Sequence, residues 1–135
     1  MAEKRPDRTL GGVHDTFWQY CNQGELRLQH CPACDRLFWP PMPVCDTCGS
    51  FDLTWKPMSG KGRIISFCTF ERKYYDELPP PWDCIVVKLD EGPQFLSNPQ
   101  GFTWQDITSD MPVQLTFLDC EDANGQFKLP VFQRA

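Results

Sequence analysis

At 135 residues and 15.6 kDa, the chain has room for one or two small domains and excludes a large multi-domain enzyme. Its 9 Gly and 13 Pro against 41% hydrophobic residues describe short strands and loops rather than a helical bundle, while 10 Phe and 5 Trp are too much apolar material for a disordered chain. The net charge of -5 is uneven: residues 1–75 carry 10 Lys/Arg against 8 Asp/Glu and residues 76–135 carry 3 against 10, a balance that repels a polyanion and disfavours nucleic acid as a partner. No apolar stretch is long enough to span a bilayer, and the charged start lacks the apolar run of a signal peptide, so the expectation is a cytoplasmic protein with no membrane partner.

Residues 1–14 are charged and aperiodic and read as flexible unless a partner orders them. From Asp15 as N-cap, Thr16–Gln23 places Phe17, Tyr20 and Cys21 on one helical face, and Gly24 ends the helix. So short a helix is marginal alone. Its aromatic residues must bury against the rest of the chain or against another subunit.

Glu25–Gln29 alternates as a strand that leads into Cys31-Pro-Ala-Cys34, and ten residues separate this pair from Cys45-Asp-Thr-Cys48. Two thiolates two residues apart point at one ion from one tight turn, and a second such turn completes a tetrahedron of sulfurs. Gly49 gives the second turn the backbone freedom it needs. With no sign of export, metal binding is preferred to disulfides. A four-cysteine zinc site is closed, so it holds structure and does not catalyse; iron in a rubredoxin-like electron carrier is the alternative. Leu37–Trp39 and Phe51–Trp55 supply the remaining strands of a zinc ribbon over Glu25–Trp55, a unit too small for a core of its own and dependent on the metal.

Beyond Met58 the pattern becomes strands and turns. Gly62–Phe70, Trp82–Leu89, Pro93–Ser97, Pro112–Leu118 and Gln126–Phe132 are five strand candidates, and Asp122-Ala-Asn-Gly125 is a hairpin signal. Five short strands in this length match a small closed barrel such as an OB-fold. The expected fold class is therefore mainly β: a tail and short N-terminal helix over 1–24, a rubredoxin-like zinc ribbon over 25–55, and a five-stranded OB-fold barrel over 56–135.

Cys21, Cys68, Cys84 and Cys120 lack metal spacing and read as small buried hydrophobes, with Cys68 and Cys84 in strand cores. Cys120 sits in the acidic Asp119-Cys-Glu-Asp122, which raises a thiol pKa and disfavours a nucleophile. Neither His14 in the N-terminal stretch nor His30 beside a metal ligand is placed as a general base, and no catalytic motif is present. Lys61, Arg63, Arg72 and Lys73, with Tyr74, Tyr75 and Trp82, mix cations and aromatic rings; they form either a solvated strand edge or a surface for the phosphates and base of a nucleotide-derived ligand.

The ordered motifs Gly24-Glu-Leu26, Cys31-x-x-Cys34, Trp39-Pro-Pro41, Cys45-x-x-Cys48-Gly-Ser50, Ser59-Gly-x-Gly62 with Ser66-Phe67, Leu89-Asp-Glu-Gly-Pro93 and Leu129-Pro-Val-Phe132 carry a resemblance over residues 15–134. The chain resembles the small zinc-ribbon/OB-fold proteins associated with acyl-CoA metabolism and encoded beside thiolase-like enzymes. It departs from that pattern at Asp110, where the family often has Gly, and at Trp82, where it usually has Tyr. The resemblance implies a non-catalytic accessory subunit in a hetero-oligomer, such as two plus two, with a thiolase-like catalytic subunit that performs thiolysis, acyl transfer or retro-aldol cleavage. It implies that helix and ribbon dock on the partner, which nominates Phe17, Trp18, Tyr20, Phe38 and Trp39. It further implies that the barrel borders the partner's CoA channel, so that Lys61, Arg63, Arg72, Lys73, Tyr74 and Trp82 face a shared CoA thioester. A stand-alone OB-fold module for a ligand or nucleic acid is the competing reading.

Overall fold

Residues 2–135 are described by a computed structural model. In chain order its elements are β1 (Glu3–Lys4), α1 (Val13–Asn22), β2 (Arg27–Cys31), β3 (Arg36–Phe38), β4 (Thr54–Pro57), β5 (Lys61–Phe70), β6 (Trp82–Leu89), β7 (Gln94–Ser97), a 3-10 turn (Trp104–Asp106), β8 (Pro112–Asp122) and β9 (Gly125–Arg134).

Two sheets result. The ribbon is antiparallel in the order β3-β2-β4, with His30 opposite Leu37 on one side and Thr54 on the other. In the larger sheet β5 pairs with β6 and β8, β6 with β7, and β8 with β9, all antiparallel. Residues just past β7 close it against β9: Pro99 forms a parallel bridge with Phe132, the Gln100 N–H donates to the Phe132 carbonyl at 2.8 Å, and Ser97 Oγ donates to the Pro130 carbonyl at 2.9 Å. That closure makes the five strands an OB-fold barrel. Gly62 is required where β5 crosses β6, because a Cβ there would lie 2.6 Å from the Lys88 carbonyl oxygen and 2.7 Å from Val87 Cγ1.

One apolar core spans all parts of the molecule. Phe17 and Cys21 from α1, Leu26 and Leu28 from the ribbon, and Ile64, Ile85, Val87, Leu89, Phe95, Val113 and Phe132 from the barrel are buried in a single cluster. The helix therefore packs within this chain. It begins earlier than expected, at Val13, with Gly12 preceding it; Asp15 lies in the first turn rather than at the cap and its Oδ1 accepts from the Gly11 N–H at 2.9 Å. A carboxylate there still complements the exposed N–H groups of the first turn.

Three further expectations are corrected. Residues 2–14 are ordered, not loose: Glu3 and Lys4 pair in parallel with Cys120 and Glu121, and Arg8 reaches Asp122. Arg8 Nε donates to Asp122 Oδ2 at 2.8 Å, the Arg8 N–H donates to the same oxygen at 3.0 Å, and the guanidinium lies 4.2 Å from the centre of the Phe127 ring. The strands β8 and β9 run further than their apolar patterns, because the backbone ladder is continuous from Val113 opposite Arg134 to Asp122 opposite Gly125; Asp119 and Lys128, opposed within it, form an ion pair at 2.8 Å. Finally, Cys68 is exposed and Cys84 only partly buried, not core. A bulge between Ile64 and Ser66 inserts one residue, and a one-residue slip moves every later side chain of β5 to the opposite face.

The Asp122 carboxyl is held down at about 2, first by the hydrogen bond from Arg8. Its contribution is complete above the usual carboxylate pKa of about 4 and disappears as pH falls toward 2. Arg8→Ala is expected to lower unfolding free energy by about 2 kcal/mol at pH 7 and by much less at pH 2, read by urea denaturation at both values; an equal loss at both removes the ion pair as the cause.

Candidate functional site: the four-cysteine centre

The two cysteine turns project from one end of the ribbon. Cys31 ends β2, Cys34 precedes β3, and Cys45 and Cys48 lie in the long loop before β4. Both turns share a backbone solution. The residue after the second cysteine of each pair has a left-handed conformation, Asp35 at φ 51 and Gly49 at φ 74. Glycine adopts this freely; aspartate is one of the few other residues that tolerates it. Asp35 is secured there by His30, whose Nε2 lies 2.9 Å from Asp35 Oδ1 and holds that carboxyl below its usual range. In the second turn the Gly49 N–H donates to the Cys45 carbonyl at 2.8 Å and the Cys45 N–H to the Ser50 carbonyl at 2.9 Å.

These turns bring the four Sγ atoms within 4.8 Å of one another. Cys31 Sγ is 3.6 Å from Cys48 Sγ, and Cys34 Sγ is 3.9 Å from Cys45 Sγ. A zinc–sulfur bond of about 2.3 Å implies tetrahedral edges of about 3.8 Å, so the donor set already has the size of a zinc tetrahedron. The electrostatics agree. Backbone N–H groups of Cys48 and Thr47 aimed at Cys45 hold its thiol down at about 6, whereas hydrogen bonding with Cys48 followed by burial pushes Cys34 up to about 12. Four neighbouring thiolates repel, and a divalent cation lets all of them ionise. Zinc bound here has no open position, so its chemistry is structural.

Among the nominated docking residues, Phe17 and Phe38 are buried inside the chain at 4% exposure each. Trp18 packs edge-on to Phe127 at 5.3 Å, Tyr20 lies 5.8 Å from Trp55, and Trp39 lies 4.7 Å from Phe95, each partly buried. Other apolar side chains are more exposed than these: Phe51, Tyr74, Tyr75, Leu96 and Trp104. Sequence reading singles out Tyr74 and Tyr75 but not Phe51, Leu96 or Trp104, which lie in a loop, on the outer face of a strand and in the 3-10 turn.

The nominated CoA residues divide into two groups. Lys61 and Arg63 lie at the start of β5, with Arg63 paired to Asp110 at 3.2 Å. Arg72, Lys73 and Tyr74 follow the other end of that strand, where Lys73 pairs with Asp76 at 2.8 Å. Nine residue steps of strand separate the two ends, a span of about 30 Å. Trp82 belongs to the second group: it stacks on Phe70 with ring centres 4.1 Å apart, and Tyr74 meets Phe70 edge-on at 6.2 Å. This is also not the sole meeting of cations and rings, since Arg8, Arg27, Arg36 and Arg134 each lie over an aromatic face. The Cys120 thiol is pushed up to about 11, as expected, but burial is the leading cause and the neighbouring Asp119 a minor one. No helix among the described residues is long and apolar enough to cross a membrane.

Two family descriptions match in tandem: the ChsH2 rubredoxin-like zinc ribbon domain over residues 18–54 and the ChsH2 C-terminal OB-fold domain over residues 55–118. The chain belongs to this ChsH2 family, also called DUF35, in which a zinc ribbon precedes an OB-fold. It is 33% identical over 122 residues to a probable enoyl-CoA hydratase alpha subunit of Thermomonospora curvata, covering 90% of this chain and 37% of that protein. It is 29% identical over 84 residues to a DUF35 domain-containing scaffold protein of Pyrococcus furiosus, covering 58% of this chain and 59% of that one. The chain thus spans less than two thirds of either curated relative. Among solved structures, a chain of the Ltp2-ChsH2(DUF35) aldolase aligns with TM-score 0.82 and 28% identity, covering 95% of this chain and 98% of that chain. A DUF35 protein of unknown function from Sulfolobus solfataricus, at TM-score 0.57 and 15% identity over 78% of each chain, shares the fold.

Elemental analysis of the purified, colourless protein is expected to find about one zinc per chain, falling to near zero in Cys48→Ser. A coloured protein containing iron overturns the zinc assignment in favour of the electron carrier.

Proposed function

We propose that this chain is a non-catalytic accessory subunit of a thiolase-like hetero-oligomeric enzyme acting on acyl-CoA thioesters, stabilising its partner and bordering the CoA site. The observation that carries this reading is the end-to-end match to a chain of the Ltp2-ChsH2(DUF35) aldolase, with nearly all of both chains aligned. A closed metal centre supports it, because such a centre can brace a docking surface but offers no position to a substrate. The names of the two curated relatives, a subunit and a scaffold protein, point the same way. Of thiolysis, acyl transfer and retro-aldol cleavage, the aldolase relative favours retro-aldol cleavage.

In this reading the catalytic nucleophile and base belong to the partner, and two copies of each subunit assemble in the cytoplasm, a reducing compartment that suits four cysteines held for a metal. Helix and ribbon face the partner. Trp18, Tyr20 and Trp39 offer their exposed edges, Phe17 supports Trp18 and Trp39 from within, and Phe38 packs beside the cysteine centre with Cys31 and Cys45. The phosphate and adenine parts of CoA are assigned to one end of the barrel, with Arg72 and Lys73 for charge and Tyr74 and Trp82 for stacking; Lys61 and Arg63 serve a separate contact.

Affinity capture of the tagged, zinc-loaded protein from its native extract at low salt is expected to recover a thiolase-fold subunit in equal amount. Recovery of the protein alone, or with nucleic acid, overturns the accessory-subunit reading and returns the barrel to a stand-alone binding module. In the recovered complex, Arg72→Glu with Lys73→Glu is expected to weaken CoA-thioester binding about tenfold, and Lys61→Glu with Arg63→Glu to change it much less, as measured by calorimetry. Equal effects from both pairs remove the division of the site.

A further inference from the structure

Cys68 on β5 and Cys84 on β6 occupy directly opposed positions of an antiparallel ladder. The reading of all four non-metal cysteines as inert core does not fit this pair. The bulge at Ile64–Ser66 turns Cys68 outward, where it is exposed, and Cys84 sits beside it partly buried. Opposed residues of an antiparallel pair have Cα atoms about 4.5–5.5 Å apart and side chains on one face, within the roughly 4.4–6.8 Å range that a disulfide spans.

The surroundings hold the two strands in register at this point. Thr69 Oγ1 donates to Asp83 Oδ1 at 2.7 Å, and Phe70 stacks on Trp82 one pair further along. On its other edge β5 is paired with β8 only from Lys61 to Arg63, so the arm from Ser66 to Phe70 depends on β6 alone. A covalent link between Cys68 and Cys84 therefore fastens the one part of β5 that has a single neighbour.

We propose that Cys68 and Cys84 form a reversible dithiol–disulfide site, oxidised by hydrogen peroxide, that locks the outer arm of β5 to β6. The exposed Cys68 reacts first: its sulfur takes one oxygen of the peroxide, the O–O bond breaks, and the other oxygen leaves as water, giving a sulfenic acid. Cys84 then attacks that sulfur. The S–S bond forms, the S–O bond breaks, and the departing hydroxide takes the Cys84 proton to leave as a second water. Two thiols lose two electrons in total, and one peroxide is reduced to two waters. A small thiol such as glutathione reverses the step by exchange. Burial, reinforced by Cys68, pushes the Cys84 thiol up to about 11, which suits the resolving role better than the first attack.

This site does not rest on the accessory-subunit reading and is tested in the isolated full-length chain. The reduced, zinc-loaded protein is treated with one equivalent of hydrogen peroxide, its remaining thiols are blocked with N-ethylmaleimide, and the digest is analysed by mass spectrometry while zinc is measured in parallel. The expected product is one peptide pair joined through Cys68 and Cys84, about 2 Da lighter than the two reduced peptides together, with zinc retained and the link removed by dithiothreitol. In Cys84→Ser, Cys68 is expected to accumulate as a sulfenic acid trapped by dimedone; in Cys68→Ser the link and the trapped species both vanish. Recovery of both residues fully blocked by maleimide, a disulfide from Cys68 to any other cysteine or to a second molecule, or oxidation that falls first on the zinc ligands overturns the proposal.

Discussion

The aromatic seam in which Phe95 meets Phe17 of the helix, Trp39 of the ribbon and Phe132 of β9, with ring centres 6.4, 4.7 and 6.2 Å apart, lets three small pieces fold as one body. A ten-residue helix is too short to persist in water, and a ribbon of some thirty residues buries too little surface for a core. Each supplies one or two large apolar side chains to a cluster centred on the barrel. Burying a side chain such as Phe or Leu there contributes about 1.5–3 kcal/mol, which offsets the ordering of the helix and the ribbon strands. The position of the cysteine centre relative to the barrel follows from this seam, because β2 both enters the core at Leu28 and ends in Cys31.

Charge is arranged around that core in a way that uses the imbalance of the chain. The basic first half and the acidic second half are brought together: Arg8 binds Asp122, and Glu3 and Lys4 lie along β8. Four arginines, Arg8, Arg27, Arg36 and Arg134, lie over aromatic rings, where the guanidinium face covers apolar surface. Lys61 at the start of β5 and Arg72 just beyond its end are both exposed.

The closed tetrahedron of sulfurs and the family relationship fit together without further chemistry. A metal that only braces two turns gives a rigid edge, and rigid edges are what docking surfaces need, since ordering on binding costs affinity. The left-handed residue after each cysteine pair, held as Gly49 in one turn and as Asp35 bound to His30 in the other, shows the same turn built by two different devices. His30, which has no ligand or acid–base geometry, has a defined purpose in that second device.

How much of this was legible beforehand depended on the range of the interaction concerned. The cysteine spacing, the order of helix, ribbon and barrel, β6 to the residue, and the hairpin at Asp122–Gly125 are local patterns, in which residues a few positions apart specify their own geometry, and the sequence determined them. What it could not determine depended on pairs far apart in the chain. Arg8 in the N-terminal stretch is held by Asp122, more than a hundred positions away, barrel closure rests on Pro99 against Phe132, and one bulge residue in β5 reversed the face of Cys68. The six residues nominated for CoA looked like one cluster when read along the chain, yet an extended strand carries its ends about 30 Å apart. Local chemistry is set by sequence spacing, whereas burial, ion pairing and the composition of a surface are set by which distant segments the core brings into contact, and only the tertiary structure decided those.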